Sequence, residues 1–186
     1  MRRVLAGLFA ATLAVAPALR AQDGEARYLE VEDGPRIEYR LLVHPANAHV
    51  LTPASALAPD TALNAAKLLN LHLSTGDLEE AAVLSTSPKR RFEVLRDYRQ
   101  SVGDEAFKRV FAQYFDPASR LLAEIAIERQ RLLIWELRGQ AGAPAHLAGQ
   151  YFIEVDGRYL LNDVPGPTRT QLRRVLEAYR AGRLPR

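Results

Sequence analysis

Apolar and polar residues alternate in two short runs, Tyr28-Leu29-Glu30-Val31-Glu32 and Ile37-Glu38-Tyr39-Arg40-Leu41-Leu42-Val43. Asp33-Gly34-Pro35 separates them, so the pattern predicts strand, turn and strand. Residues 44–60 are rich in Ala and Pro and keep no period, which predicts an irregular connection. The period then changes to helical. Asp60 can cap a helix whose positions Leu63, Ala66, Leu69 and Leu73 face a core and which Thr75-Gly76 ends. Asp77 starts a shorter helix through Leu78, Ala81, Ala82 and Leu84, ending near Ser85-Thr86-Ser87-Pro88. From Lys89 to Phe115, Phe92, Leu95, Tyr98, Val102, Phe107, Val110, Phe111 and Tyr114 predict a helical arm in two parts, broken at Val102-Gly103-Asp104.

Residues 120–137 admit two readings. Ile125, Ile127, Leu133, Ile134 and Trp135 favour a hairpin turning near Arg129-Gln130-Arg131, with Ile125 and Ile127 on one face and Glu124, Ala126 and Glu128 on the other. The hairpin is the expected form, and its rival is one helix of some twenty residues opened by Asp116-Pro117. A second hairpin is more sharply marked: Gln150 to Val155 meets Arg158 to Leu161 across Asp156-Gly157, a dipeptide suited to a tight two-residue turn. After Pro165-Gly166-Pro167, Thr168 or Thr170 can cap a last helix that docks through Leu172, Leu176 and Tyr179. Helices followed by antiparallel hairpins define an α+β fold: N-terminal helices on a curved antiparallel sheet, with an extra N-terminal strand pair and a C-terminal helix.

The first residues follow another logic. Met1-Arg2-Arg3 precedes an apolar run from Val4 to Ala16 that is short for a membrane span, the shape of a secretory signal peptide. Ala16 and Ala18 offer small residues for processing, and Ala21 before the polar Gln22-Asp23-Gly24-Glu25 is the preferred site. The expected organisation is a signal over 1–21, a strand pair with its connecting loop over 22–59, and a single α+β domain over 60–186 continuous with it. The expected location is the periplasm or the exterior, without stable insertion in a membrane.

Composition narrows the chemistry. With no Cys, the chain forms no disulfide, no thiolate metal site and no thiol nucleophile. The formal charge of +3 disappears once Arg2, Arg3 and Arg20 are removed, leaving 22 bases against 22 acids. A neutral mature chain is not built as a general nucleic-acid binder. Charge is nonetheless uneven, with ten acids and four bases over 22–85 and six bases and one acid over 165–186. Lys89-Arg90-Arg91 with Arg96 and Arg99 reads as a solvated helix flank, or as a contact for an acidic partner or an anionic membrane surface.

His44, His49, His72 and His146 are scattered without metal-ligand spacing, and neither a nucleophile elbow nor a glycine-rich phosphate loop occurs, so no metal or cofactor is expected. Glu124, Glu128, Glu136 and Glu154 fall in the predicted sheet and read as its wet face; burial beneath helices would favour a working carboxylate instead.

The element order and the Asp156-Gly157 hairpin resemble the nuclear-transport-factor-2-like superfamily, in which helices cover a strongly curved sheet to form a cone with a pocket. The resemblance covers residues 60–163. The chain also looks similar to small exported bacterial proteins, through Gly103-Asp104-Glu105-Ala106-Phe107 and Asp163-Val164-Pro165. The superfamily resemblance implies a sheet that can pair into a homodimer and a site inside the cone. The leading expectation is an accessory protein that binds a small apolar ligand or an envelope protein, with Tyr114, Trp135 and Tyr151 at the ligand. The alternative is a cofactor-free proton-transfer enzyme of the isomerase or dehydratase type, with Asp97 as base and Tyr114 or Tyr98 as hydrogen-bond donor. A partner role through the strand at Tyr28–Glu32 or the basic last helix is the third expectation.

Overall fold

The computed structural model describes residues 24–31, 34–51, 57–139 and 143–184. The expected signal peptide and its cleavage site, Asp33 of the first turn, residues 52–56 of the irregular connection and residues 140–142 lie outside the described residues. The fold is α+β. Strands β1 (Glu25–Leu29), β2 (Ile37–Leu42), β3 (Arg120–Ile127), β4 (Gln130–Leu137), β5 (His146–Val155) and β6 (Arg158–Leu161) form one curved, open antiparallel sheet in sequence order. The strand pair β1–β2 joins the rest through β2 and β3, with Leu42 opposite Glu124, so it belongs to the same sheet.

Helices α1 (Ala62–Thr75), α2 (Leu78–Val83), α3 (Pro88–Val102) and α4 (Asp104–Ala112) are inserted between β2 and β3. The cap of α1 is Thr61, whose Oγ1 accepts from the Asn64 backbone N–H at 3.1 Å, one residue later than the sequence pattern suggests. Asp60 instead accepts from the Asn64 side chain at 2.9 Å. Asp77 caps α2 as expected, through a 3.3 Å bond from the Glu80 N–H. The arm breaks at Gly103, where φ is 84° and a side chain would be strained.

Residues 120–137 form the hairpin of β3 and β4, which excludes the single helix. The turn is Glu128-Arg129, with Glu128 at φ 51°, slightly earlier than the position expected. Asp156 at φ 51° and Gly157 at φ 75° make the second tight turn where the dipeptide places it. β5 begins at His146, four residues before its sequence signal, because Leu147-Ala148-Gly149 pairs with β4 despite weak strand propensity. A Cβ on Gly149 would lie 2.7 Å from Leu176 Cδ2, so its bare backbone lets the last helix approach.

That helix, α5 (Pro167–Arg180), starts from Gly166 without a side-chain cap. Thr168 and Thr170 do not cap it, contrary to expectation: both lie inside the helix, and their hydroxyls donate to Glu128 and to the Gly166 carbonyl. Leu172, Val175, Leu176 and Tyr179 are buried. They pack on Ile125, Leu132 and Ile134 in one core, each contributing about 1.5–3 kcal/mol of apolar burial. Leu69, Leu95 and Phe107 of the helical arm pack on Leu133, Trp135 and Phe152 in a second core on the other sheet face.

The centre of the sheet is therefore covered on both faces, which corrects the reading of Glu124 as part of a wet face, while Glu128 is exposed and Glu136 and Glu154 are half-buried. A register shift between Leu121 and Ala123 makes Leu122 an extra residue in β3. Beyond this bulge Ala123, Ile125 and Ile127 turn towards α5, and Glu124 and Ala126 turn under the first helical layer. Among the described residues no helix is long and apolar enough to cross a membrane.

Candidate functional site

Strand register assembles a polar cleft beneath the start of α1. Arg40, Ala126 and Arg131 face one another across β2, β3 and β4, and Leu42, Glu124 and Leu133 form the next row. His44 follows two residues after Leu42, just past the end of β2, and arrives beside Glu124. Thr61, Ala62 and Leu63 of α1 roof the space and Tyr159 of β6 closes one side, giving a cavity of about 370 Å³. Ala126 is the reason there is room, since this small residue stands between two arginines.

Glu124 is 6 % exposed. A buried carboxylate costs several kcal/mol unless partners replace its water. His44 Nε2 lies 2.7 Å from its Oε2, and Arg131 Nε lies 3.4 Å from its Oε1. Arg131 is itself fixed, because Nη1 donates at 3.0 Å to the carbonyls of Glu128 and Gln130 and the guanidinium sits 5.6 Å from the Tyr159 ring centroid. Burial pushes the Tyr159 hydroxyl above its ordinary pKa, against the opposing pull of Arg131, with Glu154 and Glu124 adding to the rise. The backbone N–H of Tyr159 donates to the Pro59 carbonyl at 2.7 Å, tying the entry of α1 to this wall.

With Glu124 as a carboxylate, an acceptor only, the His44 Nε2–H is the donor of their hydrogen bond. The arrangement offers a hydrogen-bonding wall of imidazole, carboxylate, guanidinium and phenol, with Leu42 beside Glu124 on the sheet and the apolar Ala62 and Leu63 of α1 above. A wider depression of about 560 Å³ near the end of α4 has more volume but only an exposed ion pair, Arg138 with Asp116 at 3.3 Å. Buried polar groups, not volume, single out the first cleft.

The residues expected at a ligand do not meet there. Tyr114 and Trp135 pack edge to face at 5.2 Å and 84°, and at 9 % and 1 % exposure they belong to the core under the helical arm. Tyr151 lies on the other face of the sheet, under Arg169 at 4.7 Å to its ring centroid. Asp97 is on the solvent side of α3, with its side chain 65 % exposed and bonded to Arg96 at 2.9 Å. Tyr98 stacks on Phe107 at 5.7 Å. The basic run disperses, with Arg91 paired to Asp163 and Arg99 paired to Asp104 at 2.5 Å. Among the described residues no group of three or more His, Asp or Glu could hold a metal ion.

Burial raises the Tyr114 hydroxyl to about 12. The unfolded chain loses this proton near its ordinary value of about 10, so the folded state holds it longer. Stability contributed by the neutral phenol is intact below about pH 10 and is lost as pH rises towards 12. Alkaline unfolding should therefore steepen in that window, and Tyr114→Phe should remove on the order of 2 kcal/mol of the decline. Denaturant titrations at pH 9 and pH 11.5 check this, and an unchanged slope in the variant would contradict it.

The sequence pattern did contain one pointer to Glu124. Leu121-Leu122-Ala123-Glu124-Ile125-Ala126-Ile127 is apolar on both sides of the acid, the mark of a strand covered on both faces. The bulge at Leu122 and the 80-residue separation from His44 had no such signal. Comparison with known proteins returned no match among protein-family models, curated proteins or solved structures.

Proposed function

We propose that this protein is an exported accessory protein that binds a small ligand in the cleft of His44, Glu124 and Arg131. One observation carries the reading: a carboxylate buried in the wall of a cavity of about 370 Å³, with two basic partners beside it on the same wall. Paired buried charge is seldom the cheapest way to stabilise a fold, and in a concave site it supplies orientation for a guest. The guest that fits has a hydrogen-bonding head for His44 and Arg131 and a small apolar body for Leu42 and Leu63. Helices lying on a curved sheet support placement in the cone-shaped nuclear-transport-factor-2-like superfamily, and that placement belongs to the proposal. Native mass spectrometry of protein purified gently from its exporting host tests it. Wild type should carry a bound mass that Ala126→Leu, which fills the cavity, does not retain; equal retention by both would overturn the site.

A second reading, proton transfer without a cofactor, is favoured by the 2.7 Å contact of His44 with Glu124. A carboxylate-oriented imidazole is a suitable base, and general acid–base groups contribute about 10²–10⁴-fold in rate. His44 takes the role expected of Asp97, whose exposed position leaves it no enclosed substrate. Proton exchange of enolisable ketones in heavy water, compared between wild type and His44→Ala, checks this reading. Equal exchange by both would remove it.

A further inference from the structure

A second cleft lies at the β6 edge of the sheet. β6 stops at Leu161 whereas β5 continues back to His146, so beyond the pair of Phe152 with Leu161 the rest of β5 has no β6 partner. α1 and α3 stand on one side of this open edge and the first turn of α5 on the other, leaving a cavity of about 260 Å³. The Leu147 and Tyr151 carbonyls point out of the sheet here, accepting from Arg180 and from the Asn162 N–H. Strand alternation aims the peptide groups of Gly149, between them, into the same space.

The cleft has a charged mouth and an apolar floor. Leu69, Leu73, Leu95 and Phe111 form the floor. Arg91 and Arg169 stand at the mouth with Asp163. Asp163 is already committed, since Arg91 holds both of its carboxylate oxygens and the Ser85 hydroxyl donates to it at 2.5 Å. Burial lowers the pKa of Arg91, and the nearby charges of Arg169 and Arg90 lower it further, so the two guanidiniums feel one another. Arg169 rests over the Tyr151 ring, and its Nη1 is buried without a hydrogen-bond partner among the described residues. A buried donor on a charged group is costly to leave unanswered, and a guest acceptor would remove that cost.

We propose that this cleft binds a small monocarboxylate with an aliphatic or aromatic body, its head group on Arg169 and its body against Leu69, Leu73 and Leu95. Arg91, Arg169 and Asp163, the charged side chains that line the mouth, together carry one net positive charge, which the single charge of a carboxylate matches. The apolar floor calls for an organic body that inorganic anions lack. With its guanidinium over the Tyr151 ring, Arg169 keeps Nη1 unpaired for the charge-assisted hydrogen bond that a carboxylate accepts.

Titration calorimetry of the purified protein with hexanoate, 1-hexanol and inorganic phosphate tests this. Hexanoate should bind saturably and more tightly than the other two, and Arg169→Gln should weaken it at least about tenfold, the fold-change of one charge-assisted hydrogen bond. Arg169→Lys, which keeps the charge and loses the fork, should also weaken it. Ala126→Leu in the first cleft should leave it unchanged, which separates this site from the one proposed above. Absence of saturable hexanoate binding, equal binding of 1-hexanol, tighter binding of phosphate, or hexanoate affinity unchanged in both Arg169 variants would each overturn the proposal.

Discussion

Trp135→Ala is expected to destabilise the protein by about 3–5 kcal/mol, the usual cost of removing a large buried aromatic side chain. Trp135 is fully buried in the core that joins the helical arm to β4, with Tyr114 packed perpendicular to it and Leu121 opposite it on β3. At the size of this chain, each kcal/mol moves the melting temperature by about 2–4 °C, so the midpoint should fall by about 6–20 °C. Trp135→Phe should fall much less, because most of the packed volume remains. A ligand-lining Trp would behave the other way, with modest loss of stability and large loss of binding. Thermal unfolding of the two variants, followed by circular dichroism, separates these outcomes.

The second large effect is expected at Glu124. Glu124→Ala leaves His44 and Arg131 facing a cavity without their shared acceptor and should cost about 1.5–3 kcal/mol, the range for hydrogen bonds to charged groups. Glu124→Leu fills the volume with apolar atoms and should recover part of that stability, as replacement of buried ionic groups by apolar residues often does. Both variants should lose at least about tenfold in affinity for the ligand proposed for this cleft, the share of one charge-assisted bond. Stability and binding therefore part company in Glu124→Leu. Retained affinity in that variant would show that Glu124 serves only the fold.

Much of this architecture could be read from residue patterns because the signals are local. The Asp77 cap, the Gly103 break and the Asp156-Gly157 turn each depend on a few adjacent residues, and each stands where its chemistry puts it. Helical spacing also marked Leu63, Ala66, Leu69 and Leu73 as core positions of α1, and all four are buried. What could not be read depends on long-range pairing. The early start of β5 is imposed by β4, and the inward turn of Glu124 follows from one inserted residue at Leu122.

The same distinction explains the site. Aromatic residues suggested a groove, but the same apolar surface can fill a core, and Tyr114 and Trp135 do so. Tyr151 reached a cleft, though one at the open edge of β5, with its ring packed on the face opposite Trp135. Asp97 lies beside Tyr98 in sequence, and successive helix positions diverge, so it ended in solvent with Arg96. The cleft of His44, Glu124 and Arg131 draws on β2, β3, β4 and the start of α1 together, and no short motif encodes that meeting.

The four histidines give the most direct test of the central claim that this cleft is the ligand site. His44 is at Glu124, His72 is 3.5 Å from Asp77 on α1, His146 opens β5, and His49 is buried in the connection after β2. Side-chain imidazole NMR spectra of ligand-loaded and ligand-stripped protein report on all of them at once. The account predicts a shift of the His44 ring resonances with those of His72 and His146 unmoved; resonances of His44 that stay in place while the ligand demonstrably binds would contradict it.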